Sequence, residues 1–170
     1  DPQQGSDCAT PCSLWNDMAT PSLTADPDSN AVELGVKFRS DTDGFITGIR
    51  YYKSWQNTGV HVGSLWSSSG RLLAKATFSN ETASGWQSVD FPTPVAIKAN
   101  TVYVASYHTN AGGYSVDERY FASADENGPL RALADGESGG NGVYLYGAGG
   151  FPTNTYKSSN YWVDVVFTTP

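Results

Sequence analysis

Cysteine, histidine and methionine are almost missing from this 170-residue chain: two, two and one respectively. The two cysteines, Cys8 and Cys12, fall in a single string, Cys-Ala-Thr-Pro-Cys, near the start. A bridge there closes a small loop and pins the leader, so a disulfide framework cannot be what builds the core. Zinc is the other reading of two nearby thiols, but no further cysteine exists to complete a site and His61 and His108 lie far along the chain. Charge is also scarce. Charged residues make up 16%, against roughly a quarter in average domains. The formal net charge is -7 and the ten Lys and Arg are scattered. An acidic surface with no basic cluster repels phosphate backbones and anionic lipid, so neither nucleic acid nor a membrane is an expected partner. No apolar run approaches bilayer length. The start at Asp1-Pro2-Gln3 is expected to be that of a mature or trimmed chain, and the protein is expected to be secreted, extracellular and monomeric.

Glycine, serine, threonine and asparagine stand where charge is missing, and aromatics reach 13%. That balance suits short strands joined by tight turns. Residues 1–30, rich in Pro, Asp, Ser and Thr, read as an irregular lead-in with Leu14 and Trp15 as anchors; residues 31–170 read as one β-domain. Val32, Leu34, Val36 and Phe38 alternate with polar Glu33 and Lys37, which predicts a strand with Glu33 and Lys37 facing out. Further strands are predicted over 45–53, 61–66, 71–78, 85–91, 95–97, 102–108, 143–146 and 161–167. Pro92 and Pro94 predict an edge or a kink. No segment carries a convincing helical period. The expected fold is an all-β antiparallel sandwich, jelly-roll-like or Ig-like, with a long Gly-rich excursion over 109–160 before the last strand. A stretch that long without alternation, yet rich in aromatics, marks the place to seek a site.

Exposed Trp and Tyr stack on the apolar face of sugar rings while amides and carboxylates bond the hydroxyls. The carbohydrate-binding candidates are Trp55 in a polar loop; His108 at the mouth of the excursion; Tyr114, Tyr120, Tyr144, Tyr146 and Phe151 within it; and Trp162 with Asp164 on the polar face of the last strand. The competing reading of these rings is a satellite core under long loops. Asp26, Asp28 and Asn30, followed by Glu33, place oxygen ligands at alternate positions and suit a structural calcium, or else a Pro/Asx turn at a strand entrance. Motifs of metalloproteases, serine hydrolases and P-loop enzymes are all missing. Asp117/Glu118 and Asp125/Glu126 are adjacent carboxylates that could face each other across a cleft for glycoside hydrolysis, or else are solvated loop acids.

The runs AVELGVKF, TGVHVGSLW, ETASGWQ, TVYVASYH, NGVYLYG and NYWVDVVF, in that order, resemble a bacterial domain-of-unknown-function family found in secreted multidomain proteins beside Ig-like and hydrolase domains. The resemblance spans roughly 13–168 and implies a noncatalytic accessory β-domain joined covalently to neighbours. It supplies no catalytic residue. The expected function is therefore a carbohydrate-binding accessory module with a polysaccharide or glycan partner. An Ig-like spacer or adhesion module without a small ligand is the alternative, and a glycoside hydrolase the remoter one.

Overall fold

The computed structural model describes residues 11–170, in which the chain is all-β. Its strands are β1 (Val32–Ser40), β2 (Gly44–Lys53), β3 (His61–Ser67), β4 (Leu72–Thr77), β5 (Gly85–Ile97), β6 (Tyr103–Thr109), β7 (Asp125–Asn127), β8 (Leu130–Ala132), β9 (Val143–Tyr146), β10 (Asn154–Thr155) and β11 (Val163–Thr168). They form two antiparallel sheets arranged as a sandwich. The larger runs β4-β3-β6-β1, and the far edge of β1 is then shared. β9, followed by β10, pairs with Val32–Gly35 of β1, while β8, followed by β7, pairs with Phe38–Ser40. The smaller sheet is β11-β2-β5. The two prolines of β5 do not end it: the strand runs on at the sheet edge, and residues 91–94 bulge past Thr47 where the β2–β5 register shifts. The excursion contains one hairpin, β7–β8, that its composition does not announce.

Alternation decides which side chains meet between the sheets. Leu34, Val36 and Phe38 pair across to Tyr107, Ala105 and Tyr103 of β6, all on one face and all buried. Ile46, Ile49 and Tyr51 of β2, with Val163, Val165 and Phe167 of β11, answer from the small sheet. Tyr51 and Tyr107 stack across the gap at 4.1 Å with ring planes 15° apart. Gly63 is required at this interface, since a Cβ there would lie 2.9 Å from the Ile49 Cβ. His61 occupies the inner face of β3 and is fully buried. Its Nδ1 lies 2.9 Å from Glu81 Oε2 and its Nε2 2.7 Å from Asn57 Oδ1, so the imidazole is the hydrogen-bonded core histidine that its strand position suggests.

An antiparallel sheet can leave its outer face to water, but part of that face of the small sheet is overlaid. The lead-in covers it. Cys12 pairs with Phe167 through two backbone bonds; its expected disulfide partner, Cys8, lies outside the described residues. Leu14 and Trp15 are buried, as expected of anchors. Their backbone N–H groups donate to the two oxygens of Asp164 at 2.7 and 3.1 Å. Arg50 Nε donates to the same carboxylate at 3.0 Å, and its guanidinium also reaches the Trp15 carbonyl and lies 4.1 Å over the Trp86 ring. Burial pushes the Asp164 carboxyl up to about 6, against the pull of Arg50 and the three backbone donors. Trp162 packs on Trp15 at 5.4 Å. Trp162 and Asp164, expected on a solvent-facing or ligand-binding face, are therefore roofed by the lead-in and have no exposed surface to offer. Sequence alternation shows their face but not what lies over it.

Glu33 corrects a second expectation. It does point away from the sandwich core, yet it is buried, because the loop after β9 folds over that outer face. Ser106 Oγ donates to Glu33 Oε2 at 2.6 Å. Desolvation there raises its pKa, with Ser106, His108 and the Gly150 N–H opposing.

Replacing Asp164 with Ala would leave Arg50 Nε and the N–H groups of Leu14 and Trp15 without their acceptor in a buried place, while the rest of the guanidinium keeps Asp17 and the Trp15 carbonyl. A loss of roughly 3–5 kcal/mol is expected, read as a lower urea midpoint; a shift under about 1 kcal/mol would mean that the strap contributes nothing to stability.

Candidate functional site: a tyrosine-lined cleft

One end of the sandwich opens into a cleft of about 400 Å³, within the size range of ligand pockets, about 300–1,000 Å³. Five tyrosines line it, Tyr114, Tyr144, Tyr146, Tyr156 and Tyr161, with Asp26, Asp28 and Glu118 among them and Val32 and Leu34 at its apolar base. The register explains the wall. Tyr144 pairs with Leu34 and Tyr146 with Val32, so the β9 tyrosines and the β1 aliphatics share one face. Tyr144 and Tyr146 meet edge to face at 5.5 Å and 71°. Tyr114 and Tyr161 do the same at 5.6 Å and 78°, and are buried as the floor. Tyr146 and Tyr156 remain half exposed, at 51% and 50%. The cleft thus has a fixed aromatic floor and wet aromatic walls.

Asp28 ties three parts of the chain together at this point. Its Oδ1 accepts from the Asn30 backbone N–H at 3.0 Å and from the Asn30 side-chain amide at 2.8 Å. Its Oδ2 accepts from the hydroxyls of Tyr146 and Tyr114. Burial pushes its pKa up, but the donors from Tyr146, Asn30 and Tyr114 outweigh that and hold it below the ordinary carboxylate value. It therefore stays charged through neutral and mildly acidic pH. Gly112 lets the excursion come this close: it sits at φ +65°, and a Cβ would lie 2.2 Å from the Asp28 carbonyl oxygen. Gly113 N–H then donates to that same carbonyl at 2.8 Å.

The opposite side of the cleft is held by strained backbone. Six non-glycine residues have left-handed φ among the described residues, and four of them, Arg119, Lys157, Ser158 and Trp162, flank the cleft residues Glu118, Tyr156 and Tyr161. Such conformations persist only where the surroundings over-determine them. Here the Asp117–Asn160 bridge and the bonds from Arg119 N to Lys157 O and from Phe121 N to Ser158 O do so.

Of the ring candidates, Tyr114, Tyr144 and Tyr146 come together in the cleft; the others do not. Trp55 is exposed, at 69%, at the tip of the 54–59 loop and outside the lining. His108 lies on the outer face of β6, opposite Glu33, with Nε2 2.7 Å from the Gly147 carbonyl. Phe151 packs on Trp66 at 5.5 Å. Tyr120 is half-buried against Trp15 and Trp162, its hydroxyl held by Asp125. These last two follow the satellite-core reading. Tyr156 and Tyr161 join the lining without a sequence signal, and Glu118, one of the polar groups among the excursion's aromatics, joins them. Tyr161 counts as a core position by strand alternation, and nothing in the local sequence around Tyr156 distinguishes it from any loop tyrosine.

Of the two carboxylate pairs only Glu118 reaches the cleft, and the other three groups are engaged elsewhere. Asp117 accepts from Ser22 and from Trp162 Nε1, Asp125 from Trp15 Nε1 and Tyr120, and Glu126 pairs with Arg131. The calcium set also divides. Asp26, Asp28 and Asn30 form successive Asx turns, with Asp28 N donating to Asp26 Oδ1 at 2.9 Å, while Glu33 faces the other side of β1. An ion held by the first three would have to displace the donors that already fill Asp28. Among the described residues, no group of three or more His, Cys, Asp or Glu is placed to hold a metal.

A family model, that of a domain of unknown function, DUF4082, matches residues 18–163. The chain belongs to the DUF4082 family. The match contains every residue lining the cleft, from Asp26 to Tyr161. It leaves out Leu14, Trp15 and Asp164, so the strap over the small sheet is not part of the matched DUF4082 segment. A comparison with curated proteins finds no match.

Tyr114→Phe and Tyr146→Phe should each cost about 1 kcal/mol of stability or less and together more than the sum, because either hydroxyl alone can still satisfy the carboxylate oxygen they share. Chemical denaturation of the two single variants and the double variant measures this coupling; strict additivity would show that Asp28 does not join them.

Proposed function

We propose that this DUF4082 domain is a noncatalytic carbohydrate-binding accessory module of a secreted bacterial multidomain protein, and that the tyrosine cleft is its binding site. The observation that carries the reading is the combination of half-exposed Tyr146 and Tyr156 with a buried tyrosine floor in one cleft of ligand size. Perpendicular ring pairs offer apolar surfaces in two orientations, which suits the C–H faces of successive sugar units. Asp26 and Glu118 supply acceptors for ring hydroxyls around those surfaces, and Asp28 adds its negative charge beneath them. The structural hydrogen bonds made by Asp117, Asp125 and Glu126 support a binding role over hydrolysis. In a larger polypeptide such a module raises the effective concentration of its neighbours near a polymer. A structural calcium at the Asp26–Asn30 turn is part of the proposal only with rearrangement of that turn, and would show as a rise in melting temperature with calcium that EDTA reverses.

Affinity electrophoresis over neutral, acidic and amino-substituted polysaccharides tests the reading. Retardation on at least one is expected. Tyr146→Ala and Tyr156→Ala should each weaken it roughly three- to tenfold, the size of one lost ring contact, while Trp55→Ala should leave it unchanged. No retardation on any polysaccharide would overturn the function, and loss with Trp55→Ala alone would move the site.

A further inference from the structure

The glycan reading leaves the sugar's charge open, and the cleft's lining bears on it. Three carboxylates and no Lys, Arg or His line the cleft. Asp26 and Asp28 form no ion pair with any described residue. Glu118 has one weak partner, Lys157 Nζ at 3.8 Å, and both groups are well exposed, so solvent and salt screen that pair. Lys157 lies 5.1 Å over the Tyr156 ring at the rim, which shows a cation already seated on one of these rings.

The hydroxyls add direction. Tyr114 and Tyr146 each spend their single O–H on Asp28 Oδ2. What those oxygens retain for an incoming group is lone pairs only. Donating to a carboxylate also makes each ring more electron-rich. The inner surface is thus negative, acceptor-rich and aromatic at once. An ammonium brings three donors, no acceptor and a positive charge, and matches all three properties. A neutral hydroxyl matches one. A uronic acid carboxylate opposes all of them.

Resting on the glycan reading above, we propose that the cleft selects sugars bearing a free ammonium, the deacetylated hexosamine class, over neutral and acidic sugars. N-acetylation would remove the charge and two of the donors, and so remove the preference.

Isothermal titration of the full chain at pH 6 with four hexamers tests this: glucosamine, N-acetylglucosamine, glucose and galacturonate. The glucosamine hexamer should bind at least about tenfold tighter than the others, and the margin should shrink as salt is raised. Asp28→Asn should abolish the margin. Because that change also touches the turn, Asp26→Asn is the companion variant, expected to reduce the margin while its amide oxygen keeps the bond from Asp28 N–H. Equal binding of the glucose or acetylated hexamer would overturn the charge selection and leave the glycan reading standing. Binding of no hexamer would overturn the charge selection, and joined to no retardation on any polysaccharide it would overturn both. A preference for the glucosamine hexamer that survives both substitutions would place the ammonium outside the cleft and overturn the assignment.

Discussion

A carboxylate with no exposed surface must have its lone pairs answered from within the fold, and Asp164 organises the structure through that demand. The three-stranded sheet cannot satisfy it alone. Val165 N–H donates from the same strand and Arg50 from the neighbouring one, and the other two donors are the backbone N–H groups of Leu14 and Trp15. The lead-in is thereby fixed across the small sheet. From there it pairs through Leu23 with Val116 and, through Asp26 N–H, with the Tyr114 carbonyl. Asp26 and Asp28 reach the cleft because the chain upstream of them is tied down.

The cleft shows the same logic on a smaller scale. Its walls come from strands β1 and β9, from the lead-in, and from loops at 110–118 and 156–161. None of these is rigid by secondary structure alone, apart from the strands. Asp28 joins the lead-in to the tyrosines, and the left-handed residues around 119 and 157–158 hold the far wall. A site built this way keeps its rings in set orientations before any ligand arrives, which reduces the ordering cost of binding.

Stability and recognition divide between two sets of aromatics. Trp15, Trp162, Tyr120 and Phe121 form a packed cluster beneath the lead-in. The cleft tyrosines stand apart from it and keep exposed edges. Both sets read alike in sequence, as aromatics in glycine-rich or polar surroundings. What separates them is whether another segment lies on top.

The all-β class and the main strands were legible in the sequence because alternation is a local consequence of the two-residue period of a strand. Leu34, Val36, Phe38, Val163, Val165 and Phe167 declare their faces without help. The meeting of Tyr114, Tyr144 and Tyr146 followed from little more than their shared location in one aromatic-rich excursion. The roofing of Trp162 and Asp164, the burial of Glu33 under the loop after β9, and the entry of Tyr156, Tyr161 and Glu118 into the cleft were decided by tertiary structure alone. In each case the deciding contact spans a long stretch of chain, and local pattern carries the direction in which a side chain points but not the identity of the segment that arrives to cover it.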